Sequence, residues 1–186
     1  MKKKSKKMQT VQETNPPYTA KLAPGDRYTM EDSGTKLYIR ASHHLRVIEV
    51  DDGIIKSRDT KKCDFLCEVW AEKCVHLFEF KTGKMNDAFL QLEMTPKAIQ
   101  EHSEYKNILD DLNRLDAYIV SPLRLQIPKN INEKQRRLCG TLARYCNHKL
   151  DDIMDLLRLV RVVPTCKKTQ EDGGTILCSN SFPLKL

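Results

Sequence analysis

The sequence predicts an α/β fold: a central mixed β-sheet flanked by helices and finished by a C-terminal hairpin. Three observations predict it. Short apolar runs bounded by charged or turn-forming residues recur as strands, and two stretches between them carry apolar residues at helical spacing. Asp116-Ala117-Tyr118-Ile119-Val120-Ser121, stopped by Pro122, suits a buried strand laid beside an earlier one after a helical crossover. At 186 residues the chain fits a single domain with a core of ordinary size.

Met1 to Met8 concentrates five lysines without hydrophobic periodicity and is followed by Asn15-Pro16-Pro17. Residues 1–20 therefore read as a basic, disordered arm, and 21–186 as the folded domain. Lys36 to Arg40 and Arg46 to Val50 read as strands, with His43 and His44 in their connection and Asp51-Asp52-Gly53 as the turn into Ile54-Ile55. Lys61 to Cys67 and Val75 to Lys81 read as the next two strands, bounded by Thr82-Gly83-Lys84 as a turn. Asn86 then caps a helix with Ala88, Phe89 and Leu92 on its apolar side, and Thr95-Pro96 starts a second helical piece. A further helical run passes through Tyr105 to Leu109 and ends near Leu115. After the Asp116 strand, Asn132 caps a helix from Glu133 to about Leu157, with Leu138, Leu142, Tyr145 and Leu150 on one face and Arg136, Arg137 and Arg144 as a basic stripe or a solvated face. Leu159 to Val163 and Thr175 to Cys178 complete the chain as a hairpin, with Asp172-Gly173-Gly174 in its loop.

Charge and composition narrow the class of function. The formal net charge of +7 favours polyanionic partners, and the lysine-rich arm is suited to tracking phosphates. No apolar run approaches the ~18 residues of a membrane span, and the basic start lacks the apolar stretch of a secretory signal, so a cytoplasmic protein without membrane contact is expected. Seven cysteines, none paired at zinc-knuckle spacing, read as buried thiols. Cys63 with Cys67 on one strand face, or Cys139 and Cys146 with His148 on a helix, would be the alternatives that hold zinc.

The densest chemistry lies on the paired strands before the first helix. Asp64 breaks into an apolar stretch that continues as Phe65, Leu66 and Cys67, and Glu79-Phe80-Lys81 closes another. Side chains alternate on a strand, so Glu79 and Lys81 share a face. Charges inside strands of this kind are costly unless paired or bound to something. The bland account is an ion pair between Glu79 and Lys81; the functional account is two carboxylates holding a hard divalent cation with an ammonium beside it.

From Lys61 to Met94 this arrangement resembles the PD-(D/E)XK nuclease superfamily, with Cys63 where the motif name has Pro. The resemblance implies a restriction-endonuclease-like fold and Mg²⁺- or Mn²⁺-dependent hydrolysis of nucleic acid, DNA favoured over RNA. It implies Asp64, Glu79 and the Phe80 carbonyl as metal ligands, Lys81 as the residue that orients water and offsets phosphate charge, and Gln91 as a supporting polar group on the helix. Glu31 and Glu49 are the upstream acids available as a further ligand. The alternative is a catalytically inactive module with the same fold that binds nucleic acid or a protein partner. So short a chain has room for little beyond the core, which points to target selection through a homodimer or association with another protein.

Overall fold

Every residue of the strand Cys74–Phe80 is buried, because both of its faces are covered. The computed structural model describes residues 18–82, 85–123, 131–148, 150–172 and 174–186. Its strands are β1 (Thr19–Leu22), β2 (Arg27–Asp32), β3 (Thr35–Arg40), β4 (Leu45–Glu49), β5 (Phe65–Val69), β6 (Cys74–Phe80), β7 (Arg114–Ser121), β8 (Leu157–Val162), β9 (Gln170–Asp172), β10 (Thr175–Cys178) and β11 (Leu184–Lys185). The α-helices are α1 (Asn86–Gln100) and α2 (Ile131–Leu142), joined by short 3₁₀ turns at Trp70–Glu72, Lys106–Leu109, Ala143–Tyr145 and Leu150–Leu156.

An eight-stranded mixed sheet, in the order β1-β4-β5-β6-β7-β8-β10-β9, forms the middle layer. Val75 and Leu77 of β6, with Leu115, Ala117 and Ile119 of β7, pack against Leu92 and Ile99 of α1 and Leu138 and Leu142 of α2. The opposite faces of the same strands, through Cys74, Phe78, Phe80, Tyr118 and Val120, pack against Met30, Leu37 and Ile39 of a three-stranded sheet ordered β11-β3-β2. Apolar side chains on both faces explain why β6 and β7 read as near-continuous hydrophobic runs. β4, β5 and β6 are antiparallel, and β7 lies parallel to β6 after the α1 crossover. The large mixed sheet of an α/β fold thus follows the sequence expectation, but both α-helices cover one face and a small sheet that the sequence did not announce covers the other.

Several elements differ from their sequence-based expectation. β8 and β10 pair in parallel, so they are not the two arms of a hairpin; the antiparallel partner of β10 is β9. The connection after Val162 is long enough to carry a strand of its own, which the two runs read as a simple hairpin left out. α1 continues through Thr95 and Pro96 without restarting. Proline costs a helix one N–H bond, and here the Thr95 hydroxyl donates to the Gln91 carbonyl (2.7 Å) while accepting from the Cys63 N–H (2.7 Å). Asn86 opens α1 from inside it: Met85 holds the cap position with helical dihedrals, and Asn86 Oδ1 accepts from Lys134 Nζ of α2 (2.8 Å). Asn132 likewise lies within α2. That helix stops at Leu142, because Cys146 is extended and bridges to Leu112, whose carbonyl accepts the Asn147 N–H at 2.8 Å. The run through Tyr105 to Leu109 ends as a 3₁₀ turn at Leu109, and β7 begins at Arg114.

β1 and β2 had no counterpart in the sequence expectation, since only Leu22 and Met30 of their residues are buried. Thr19 and Ala20 belong to β1 and pair with β4, whereas residues 1–17 of the basic arm lie outside the described residues. β3 and β4 fall in different sheets. Cys63 packs in the helix-side core and Cys67 between the sheets, so they share no face.

Candidate functional site

The sequence-predicted residues Asp64, Glu79, Lys81 and Gln91 come together at one end of the large sheet, on its helix-bearing side. Asp64 stands immediately before β5. Its N–H donates to the Phe78 carbonyl at 3.0 Å, and its Oδ2 accepts the Phe80 N–H at 2.6 Å, so it bonds the residues on both sides of Glu79. In extended backbone a residue's N–H and C=O point to the same edge, which turns the Phe80 carbonyl toward Asp64 as well. Glu79 follows Val75 and Leu77 on β6 and shares their helix-side face. It is 1 % exposed; Oε1 contacts Lys81 Nζ at 2.5 Å, and Oε2 has no hydrogen-bond partner among the described residues.

Helix α1 completes the group from above. Lys81 Nζ donates to Gln91 Oε1 at 2.8 Å, and Gln91 Nε2 donates to the Lys62 carbonyl at 3.2 Å. Gln91 thus ties Lys81 to the segment that leads into Asp64. Lys62 is itself buried, with its ammonium on Asp51 Oδ1 (2.8 Å) and the Ser57 carbonyl (2.6 Å).

The electrostatics are those of acids held out of water. Burial raises Asp64 from 3.8 to about 7; Asp32 and Asp51 add to this, while the Phe80 N–H and Lys81 oppose it. Burial, then the Asp64 charge, raises Glu79 from 4.5 to about 8 against the pull of Lys81. Glu49 is also raised, by burial and by Asp52, Asp32 and Asp51. A cluster of carboxyl groups therefore acts on one small region, and such repulsion is what a bound divalent cation relieves.

Two contributors were not read from the sequence. Asp32 ends β2 on the same face as the buried Met30, and its charge reaches Asp64 and Glu79 from the smaller sheet. Asp51 sits in the turn after β4. That turn needs a glycine, because a Cβ at Gly53 would lie 2.1 Å from the Glu49 carbonyl oxygen. Of the two upstream acids considered, Glu49 feels Asp52, Asp32 and Asp51 but is not seen to act on Asp64 or Glu79, whereas Glu31 points to the other face of β2 and pairs with Lys36 at 3.2 Å. Hydrophobic alternation marks a strand but not which sheet will bring its end to a given spot, so Asp32 carried no local signal.

Other sequence candidates lie apart from this site. His43 pairs with Glu72 (2.9 Å), Arg137 pairs with Glu93 (2.8 Å), and Arg136 and Arg144 are exposed. Among the described residues, the group of metal-type donors whose ligand atoms lie within 4.8 Å of one another is Cys74, His76 and Asp116, and neither of the cysteine groupings named as zinc-holding alternatives to buried thiols. No described helix is long and apolar enough to cross a membrane. No family model, curated protein or solved structure gives a match to this chain, so its site is read from its own geometry.

Proposed function

We propose that the chain is a metal-dependent nuclease that hydrolyses phosphodiester bonds in nucleic acid, DNA in preference to RNA on the strength of the PD-(D/E)XK resemblance. The observation that carries this reading is the Glu79 carboxylate: one oxygen on Lys81, the other buried and, among the described residues, without a hydrogen-bond partner, beside a second buried acid, Asp64. A buried carboxylate oxygen left unpaired is expensive, and a cation is the partner that would satisfy it. Asp64, Glu79 and the Phe80 carbonyl are all oxygen donors and fit Mg²⁺ or Mn²⁺. Bound there, such an ion would supply Lewis acidity toward the phosphate and lower the pKa of water.

The chain's own groups do the rest. Lys81, held by Gln91, places an ammonium where it offsets phosphate charge and positions water for in-line attack. The water oxygen bonds to phosphorus as one P–O ester bond breaks, and the departing oxygen leaves with a proton. Asp64 and Glu79 must be ionised to hold the cation, so cleavage rises with pH toward the range in which they lose their protons.

The test is incubation of the purified chain with single- and double-stranded DNA and RNA, with Mg²⁺, Mn²⁺ or a chelator. Metal-dependent products that fall roughly 10²-fold or more in Asp64→Ala, Glu79→Ala and Lys81→Ala are expected. Equal cleavage by wild type and variants overturns the reading. Salt-sensitive retention of DNA without products would instead identify a binding module that performs no chemistry.

A further inference from the structure

A second polar cluster lies on the opposite face of the same sheet, toward the other end of β6. Cys74 and His76 are two residues apart on β6 and so share a face, and parallel register sets His76 beside Asp116 of β7. All three side chains are buried. We propose that Cys74, His76 and Asp116 form a binding site for Zn²⁺ or a similar borderline-soft divalent ion, distinct from the oxygen-ligand site at Asp64 and Glu79 and independent of the nuclease reading.

The distances are near those a shared ion would set. His76 Nδ1 lies 3.4 Å from Asp116 Oδ2 and 4.0 Å from Cys74 Sγ, and Nε2 lies 3.6 Å from the same sulfur. Tetrahedral zinc with ordinary Zn–S, Zn–N and Zn–O bonds separates its ligands by about 3.6 Å for S to N and about 3.4 Å for N to O. Through Nδ1, the sulfur would close on the imidazole by about 0.4 Å, with all three ligand atoms already within 4.8 Å of one another. The Cys74 thiol also has the Val75 carbonyl within reach, at 4.0 Å.

The surroundings have the form that a ligand set needs. Arg114 Nε donates to Asp116 Oδ1 at 2.6 Å, which leaves Oδ2 turned toward the imidazole, and Arg114 is in turn held by Asp155 at 3.2 Å. A carboxylate ligand steadied by an outer hydrogen bond is the usual arrangement around a protein metal. The Tyr118 ring meets His76 edge-on, with centroids 5.6 Å apart, and limits its rotation. Cys74 also lines a cleft of about 160 Å³ together with Trp70, Lys73, Asn107 and Asp110, at the same end of β6. Sulfur and imidazole nitrogen select zinc over magnesium. Binding converts the Cys74 thiol to a thiolate and releases one proton to solvent.

Cobalt is the probe, because Co²⁺ bound by a thiolate absorbs in the near ultraviolet and tetrahedral Co²⁺ absorbs in the visible. The full chain, stripped with chelator, is titrated with Co²⁺ and then with Zn²⁺. A thiolate charge-transfer band that saturates at one equivalent and is bleached by Zn²⁺ is expected. The band should vanish in Cys74→Ala, survive in Cys67→Ala, and survive in Glu79→Gln, which disables only the other site. Absence of the band in wild type, or its persistence in Cys74→Ala, overturns the proposal. If Cys74→Ala does not fold, the wild-type titration and His76→Gln decide: a band unchanged in His76→Gln overturns it equally, and its loss or blue-to-red reshaping supports it.

Discussion

Glu79 is kept almost entirely from water, and its own charge is opposed by the neighbouring acid. Its pKa of about 8, with about 7 for Asp64, fixes how stability must vary with pH in the metal-free protein. A carboxyl group whose folded pKa lies above its unfolded one binds more protons in the folded state. Its stabilising contribution is complete below the unfolded pKa and is lost as pH rises through the folded pKa. Metal-free protein should therefore lose stability, on the order of a few kcal/mol, as pH rises from about 4 to about 8. Urea melts across that range check this: Glu79→Gln should flatten the upper part of the profile, Mg²⁺ should restore the lost stability, and a wild-type midpoint independent of pH would contradict the arrangement. Asp64, Glu79 and Lys81 were legible in the sequence because charges stood where strand apolarity demanded otherwise. His76 and Asp116 stood in apolar runs too, but their meeting depends on a parallel register that no local pattern encodes.

At the scale of elements, α1 is fastened to the site by Thr95 and Gln91. Thr95 Oγ1 is the acceptor for the buried Cys63 N–H, so Thr95→Val keeps the shape and orphans that donor. A loss of about 1–3 kcal/mol is expected, measured by chemical denaturation, and on the nuclease reading a larger fractional loss of cleavage because the Asp64 segment is freed. β5, β6, β7 and the first turns of α1 were readable as runs of apolar residues ended by turn formers. The Thr95-Pro96 pair misled because it has the composition of a helix start; a bond one turn back to Gln91 within the helix and a tertiary bond from Cys63 carried the helix past it. α2 was overextended for the converse reason: its periodicity continues, but the bridge from Leu112 to Cys146 draws the chain out of the helix. β2 was missed because a strand with one buried side chain shows no alternation strong enough to find.

Across the whole molecule, positive charge is concentrated in the first residues while the candidate site is acidic. Five lysines precede residue 9, against a formal net charge of +7 for the entire chain. On the nuclease reading, the arm supplies phosphate affinity that the acidic site cannot. Deleting residues 1–17 should weaken DNA binding and make the dependence of log affinity on log salt shallower, by up to about 4–5 for five phosphate contacts with duplex DNA. Fluorescence anisotropy at several salt concentrations measures it, and an unchanged slope would show the arm to be a bystander. The overall α/β plan was visible because strand and helix periodicities differ; the three-layer arrangement was not, because the sequence does not say that β3 and β4 part into separate sheets. One margin of the large sheet, β9, is only Gln170, Glu171 and Asp172, two of them acidic. Another molecule attempting to add a strand there would gain few main-chain bonds and meet like charge, so that border blunts runaway lateral growth into fibres.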